Sequence, residues 1–182
     1  MIMSLALLLA AADPPTLYQR IRQHYIADPA AFASLGRPAP QMAEIAWLVG
    51  TWDVSAVVDE QGAPPSSGTS VISPAFGGAW LEVRDTYPGA LNLAYLGYST
   101  AEGRWIVVAL DNLMNASRSG APAWANGRIT FEGDYLILGM PAHLRQTIER
   151  QSDHAFSVVT EELVGERWSR VASRYYRRHA AH

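Results

Sequence analysis

The chain has no cysteine among its 182 residues, which excludes disulfides, thiolate nucleophiles and zinc–cysteine sites and leaves the compartment open. It has no lysine either. All 14 basic residues are arginine, a bias we assign to GC-rich coding, although a guanidinium pairs with carboxylates in a bidentate way that an ammonium cannot. With 17 acidic residues the net charge is −3, so no basic excess recommends nucleic acid or an anionic membrane as partner. Internal repeats and low-complexity segments are absent too.

Motifs for common chemistries are equally scarce. The five histidines, His24, His143, His154, His179 and His182, form no H-x-H or H-E-x-x-H pattern and have no carboxylate at ligand spacing, so no protein metal site is expected. No G-x-S-x-G occurs, and Ser117-Arg118-Ser119-Gly120 is not a nucleophile elbow. Gly77-Gly78 reads as a tight turn rather than a phosphate-cradling loop. The apolar run over 1–12 is too short to span a bilayer. It ends in Ala10-Ala11-Ala12 ahead of Asp13-Pro14-Pro15, like a signal-peptide core with a small-residue cleavage site but without a basic start. The expectation is a periplasmic or secreted protein, with a cytoplasmic one as the alternative.

What is present is a β pattern. With 49% hydrophobic residues the chain can build one domain with a real core. Leu48-Val49-Gly50-Thr51-Trp52 followed by Asp53 to Val58 reads as a short helix stopped by Gly50 and passing directly into a strand with a tryptophan near its start. Such an indole plugs one end of a small barrel, and the Gly-x-Trp opening resembles the first strand of lipocalin-like proteins. Leu17, Ile21 and Tyr25 behind Pro14-Pro15 predict an amphipathic helix over Thr16–Tyr25. A proline-bearing linker over 28–40 and a second short helix from Pro40 follow. Further strands are expected at 68–73, 80–87, 91–99, 105–111, 128–132, 144–151, 155–162 and 167–177. Turns at Glu60-Gln61-Gly62, Ala101-Glu102-Gly103, Asn126-Gly127 and Gly133-Asp134 join neighbours. The pattern predicts a mainly β fold, an antiparallel up-and-down barrel with one or two short N-terminal helices, with a β-sandwich as competitor. The expected divisions are 1–12 signal-like, 13–42 helix and linker, 43–178 barrel and 179–182 tail.

Period-2 alternation names the candidate interior. Leu81 and Val83 point in while Glu82 and Arg84 point out, and Leu144 and Ile148 oppose Arg145, Thr147 and Glu149. The 105–111 strand is apolar on both faces, so its outer face needs a helix such as 16–25, or a second copy in a homodimer. Candidate ligand-binding residues are Trp52, Leu81, Val83, Tyr95, Trp105, Asp111 and Ile148. Gly50, Trp52, Arg174 and Arg177 are candidate structural residues, the arginines because a guanidinium from Arg174 to Arg178 can cover the Trp52 indole. Asp111, if buried, needs Arg145 or Arg174 as partner. Asp111 and Glu82 are the candidate acids should the barrel be an isomerase or cyclase.

In order and spacing, Leu48 to Trp52, Gly68-Thr69-Ser70, Phe76 to Val83, Leu96-Gly97-Tyr98, Gly103-Arg104-Trp105, Leu110-Asp111-Asn112, Gly165-Glu166 and Tyr176-Arg177 together resemble the DUF1579 family, an uncharacterised bacterial group with a lipocalin-like barrel. The resemblance spans 43–178. This chain has Ser99 where that family shows aspartate, and Ala109 where it shows tryptophan. The resemblance implies the barrel and no activity. The expected function is the holding of a small apolar or amphipathic molecule, with no cofactor. The alternatives are the isomerase or cyclase, a haem-binding barrel using one of the histidines, and a structural domain filled by its own aromatics.

Overall fold

The computed structural model describes residues 13–59 and 64–180. The signal-like run over 1–12, the Glu60-Gln61-Gly62 turn and His182 lie outside them. The chain divides into two compact units, Met1–Gly36 and Arg37–His182. In the first, α1 (Leu17–Ala27) starts from a capping box: Thr16 Oγ1 accepts from the Gln19 amide while Gln19 Oε1 accepts from the Thr16 amide. α2 (Pro29–Ser34) follows without a linker. Its start is Asp28, whose Oδ1 accepts from the Ala31 amide at 2.9 Å, with Pro29 in the first turn. The expected linker over 28–40 therefore contains a helix.

The second unit is a closed antiparallel barrel. Its strands are β1 (Gly50–Val58), β2 (Ser66–Ala75), β3 (Trp80–Tyr87), β4 (Ala90–Ser99), β5 (Arg104–Asp111), β6 (Ala116–Ala121), β7 (Arg128–Ile137), β8 (Met140–Ser152), β9 (Ala155–Val164) and β10 (Arg167–Arg178). Each pairs with its sequence neighbours and β10 closes on β1. The unit begins at Arg37, ahead of the expected 43, because the 3-10 helix Pro40–Leu48 belongs to the barrel core: Ala39, Met42, Ile45 and Leu48 are buried in one cluster with Trp52. Closure leaves no free sheet edge among the described strands.

Two strands differ from expectation. β6 is not among the expected strands, because Ala116-Ser-Arg-Ser-Gly-Ala121 carries no β-branched or aromatic residue. β7 runs through Gly133-Asp134, which the pattern reads as a turn. The space beside Gly133 is taken by the Arg118 carbonyl and Ser119, 2.8 and 3.0 Å from where a Cβ would stand, so this glycine serves a close approach of β6 and β7. On β5, Trp105, Val107 and Ala109 share the inward face, opposite Tyr98, Leu96 and Ala94 of β4. Ile106 is buried on the outer face. Its cross-strand neighbours are Gly97 and Gly120, over which the Trp80 ring and the Arg104 guanidinium lie. The chain's own side chains thus cover Ile106, while Leu110 on the same face stays half exposed.

Candidate functional site

One end of the barrel is plugged by aromatics. Trp52 is fully buried, donates from Nε1 to the Leu48 carbonyl at 2.8 Å, and meets Phe156 edge-on with ring centres 4.8 Å apart. Trp47 and Tyr176 extend the stack through Phe156. Arg178, rather than Arg174 or Arg177, lies over the Trp52 ring at 4.2 Å and donates to the Trp47 and Val49 carbonyls at 2.7 and 3.0 Å. The parity of β10 decides this: Arg178 pairs with Trp52 across β1 and shares its face, while Arg177 pairs with Asp53 on the outer one. Gly50, at φ +142°, sits against the Arg178 guanidinium with no room for a Cβ. Trp105 is buried in the same core.

Beyond the plug lies a cavity of about 950 Å³, reaching to the strand ends near Pro88, Asp111, Ile137 and Val171. Its wall is mostly apolar: Val83, Ala94, Leu96, Val107, Ala109, Leu144, Ile148 and Val158 all contribute. Exposed apolar side chains stand around the open end, among them Leu110, Met114, Leu136, Leu138 and Val164. An interior filled by the chain's own aromatics therefore describes only the plugged end.

A cluster of polar groups stands around Asp85, and Gln146, Thr160 and Glu162 also line the cavity. Asp85, on the inward face of β3, is 1% exposed. Its Oδ2 accepts from Arg174 Nη1 at 3.5 Å, from the Tyr176 hydroxyl at 3.4 Å and from Asn92 Nδ2 at 3.5 Å. These are long contacts for a buried charge. Asp85 Oδ1, Ser70 Oγ and the Tyr87 hydroxyl are buried with no hydrogen-bond partner among the described residues, and Ser70 is the register partner of Asp85. Burial pushes the Tyr176 phenol well above its ordinary range and raises that of Tyr87. Arg174 is held above its ordinary value by the Tyr176 oxygen first and then by Asp85 and Tyr87, against the effect of burial. Buried polar atoms without partners are costly, and a few convergent polar groups in an apolar concavity are what orient a small ligand.

The sequence candidates scatter around this site. Val83, Asp111 and Ile148 line the cavity. Trp52, Leu81 and Trp105 are core residues outside its lining. Tyr95 faces outward instead: its hydroxyl donates to Glu82 Oε2 at 3.0 Å and its ring meets Phe76 at 5.5 Å. Glu82 is thereby also outside, 3.1 Å from Arg84, and is no cavity acid. Asp111 braces the β5–β6 turn, accepting from the Leu113 and Asn115 amides and from Asn115 Nδ2 at 2.8–3.0 Å. Partial burial pushes its carboxyl up, but the bonds from Asn115 and Leu113 outweigh this and hold it below its ordinary value, the opposite of what a general acid needs. Neither arginine named as its partner reaches it: Arg145 makes a two-pronged pair with Glu161 at 2.7 and 3.0 Å, and Arg174 serves Asp85.

Asp85, Tyr87, Ser70 and Asn92 are not among the sequence candidates, although the alternation that sends Leu81 and Val83 inward sends Asp85 and Tyr87 the same way. The described histidines lie elsewhere. His143 bonds Asp134 and Glu132 on the outer face, His179 bonds Asp53, His154 is exposed beside the β8–β9 turn, and His24 is on α1. Of the barrel unit's described histidines, His143, His154 and His179, none lines the cavity, so the imidazole that the haem alternative needs is not supplied by them. Among the described residues no group of three or more His, Cys, Asp or Glu is placed to hold a metal ion, and no helix is long and apolar enough to cross a membrane.

No family model matches the chain, and no curated protein matches it. Among solved structures, Rv2717c from M. tuberculosis superposes with a TM-score of 0.57 at 12% identity, covering 79% of this chain and 100% of that one. A redesigned β-barrel, mFAP1 bound to DFHBI, aligns at 17% identity over 76% of this chain and 99% of its own, with a TM-score of 0.36. A de novo designed fluorescence-activating β-barrel aligns at 17% identity over 78% of this chain and 100% of its own, with a TM-score of 0.34. What the mycobacterial protein shares with this chain is the fold.

Proposed function

We propose that this barrel holds a small, mainly apolar molecule in its interior, oriented by the polar groups around Asp85. The observation that carries the reading is the cavity of about 950 Å³ whose apolar wall encloses buried polar atoms lacking partners. That volume lies at the upper end of those typical of small-molecule sites. Exposed apolar side chains at its mouth suit the passage of an apolar guest. Location outside the cytoplasm belongs to the same proposal and rests on the signal-like run before Asp13.

The test is a fluorescence titration with 1-pyrenebutanol, followed by energy transfer from the tryptophans. The full chain is expected to bind one equivalent saturably. Ala109→Trp, which projects an indole into the cavity from β5, is expected to weaken binding while the far-ultraviolet spectrum and the thermal transition persist. Unsaturable binding, or binding untouched by Ala109→Trp in a folded protein, places the probe outside the barrel and refutes the reading.

A further inference from the structure

We propose that Asp85 occupies, from within the chain, the place an anionic head group would take, so that the cavity admits amphipathic molecules whose head donates a hydrogen bond and rejects carboxylate-headed ones. This rests on the reading of the cavity as a small-molecule site and adds the chemistry of the head. Arg174 and Tyr176 are two residues apart on β10, so their side chains point to the same, inward face. Both aim a donor at one oxygen, Asp85 Oδ2, at 3.5 and 3.4 Å. A guanidinium beside a phenol is a receptor for a carboxylate. Here the receptor is already filled by a carboxylate reaching from β3.

An incoming carboxylate or phosphate therefore finds the cation already neutralised by Asp85, while Asp111 and Glu162 leave the formal charge of the lining negative, and in an apolar enclosure that repulsion is poorly screened. Among the described residues no second cation offsets it. Among the described residues of the lining Arg174 is the one basic side chain, and the acids are Asp85, Asp111 and Glu162. What Asp85 leaves open is an acceptor. Its Oδ1 has no donor among the described residues, and neither does Ser70 Oγ on the paired strand. An O–H or N–H on the guest satisfies that oxygen once the side chain turns it, now covered, toward the cavity, and a neutral alcohol or a protonated amine both provide one. Asp85 is thus assigned as the residue that sets head-group specificity.

The experiment compares three probes with one apolar body on the full chain at pH 7: 1-pyrenebutanol, 1-pyrenebutylamine and 1-pyrenebutanoate. The alcohol and the amine are expected to bind about tenfold or more tightly than the carboxylate, a difference of roughly 1.4 kcal/mol or more. Asp85→Asn keeps the shape and removes the charge, and raises affinity for the butanoate by about the same factor. Should that variant fail to fold, the wild-type comparison decides alone. Wild-type protein that binds butanoate as tightly as butanol overturns the assignment, with Asp85 Oδ1 then satisfied by water, while leaving the cavity reading intact. Failure of all three probes to bind overturns the cavity reading itself.

Discussion

Replacing Trp52 by alanine removes the centre of the barrel plug, and its cost follows from what the indole touches. The side chain is fully buried, so truncation to alanine is worth about 3–5 kcal/mol in transfer and cavity terms. The Leu48 carbonyl, which accepts from Nε1 at 2.8 Å, loses that donor, adding about 1 kcal/mol. Arg178 loses the ring beneath it, while its bonds to the Trp47 and Val49 carbonyls keep it in place. The total is about 5 kcal/mol. For a domain of this size that lowers the melting temperature by roughly 10–20 °C. Trp52→Phe keeps a ring against Phe156 and forfeits the N–H, so it costs about 2 kcal/mol. Urea unfolding followed by far-ultraviolet circular dichroism measures both variants, and pyrenebutanol binding at low temperature is retained in each. Full stability of Trp52→Ala with loss of binding refutes the structural assignment and makes Trp52 a ligand contact.

Gly68 is inward-facing on β2, and a Cβ there collides with the Thr86 carbonyl and comes within 2.7 Å of the Tyr87 ring. Gly68→Ala therefore destabilises by about 2–3 kcal/mol, measured by the same urea titration; a neutral result shows that β2 and β3 have room to separate. His143 is held above its ordinary 6.5 by its bond to Asp134 first and then by that to Glu132. A raised folded-state value stabilises fully below about pH 6.5 and is lost as pH rises through the folded-state pKa. Proton titration by NMR is expected to place His143 above 6.5, and His143→Gln to remove that part of the fall in melting temperature with rising pH; an unshifted titration contradicts the pairing.

The barrel is legible because hairpin turns and alternating strands repeat from Trp52 to Arg178, and because helix-breaking Gly50 and the Trp52 indole fall together. Illegible parts have identifiable causes. β6 is small and polar, and pairing with β5 and β7 makes it a strand where propensity does not. Tyr95 is not placed by alternation because both faces of β4 are comparably apolar: Leu91, Leu93 and Tyr95 compete with Ala94, Leu96 and Tyr98, and only closure against β3 and β5 decides between them. Asp85 escapes notice for a different reason. A carboxylate reads as a solvent residue, yet its parity with Leu81 and Val83 places it inside, and the residues that make this tolerable, Arg174 and Tyr176, lie on the last strand and meet it only once β10 has closed the barrel. Cross-barrel partners of that kind have no signature in local sequence.

The most direct test of the central claim is native mass spectrometry of the full chain, purified without refolding. The account predicts a noncovalent adduct of a few hundred daltons, on the scale of a drug-sized guest, that disappears on denaturation and is diminished in Ala109→Trp. A bare protein mass that stays unchanged when 1-pyrenebutanol is added contradicts it.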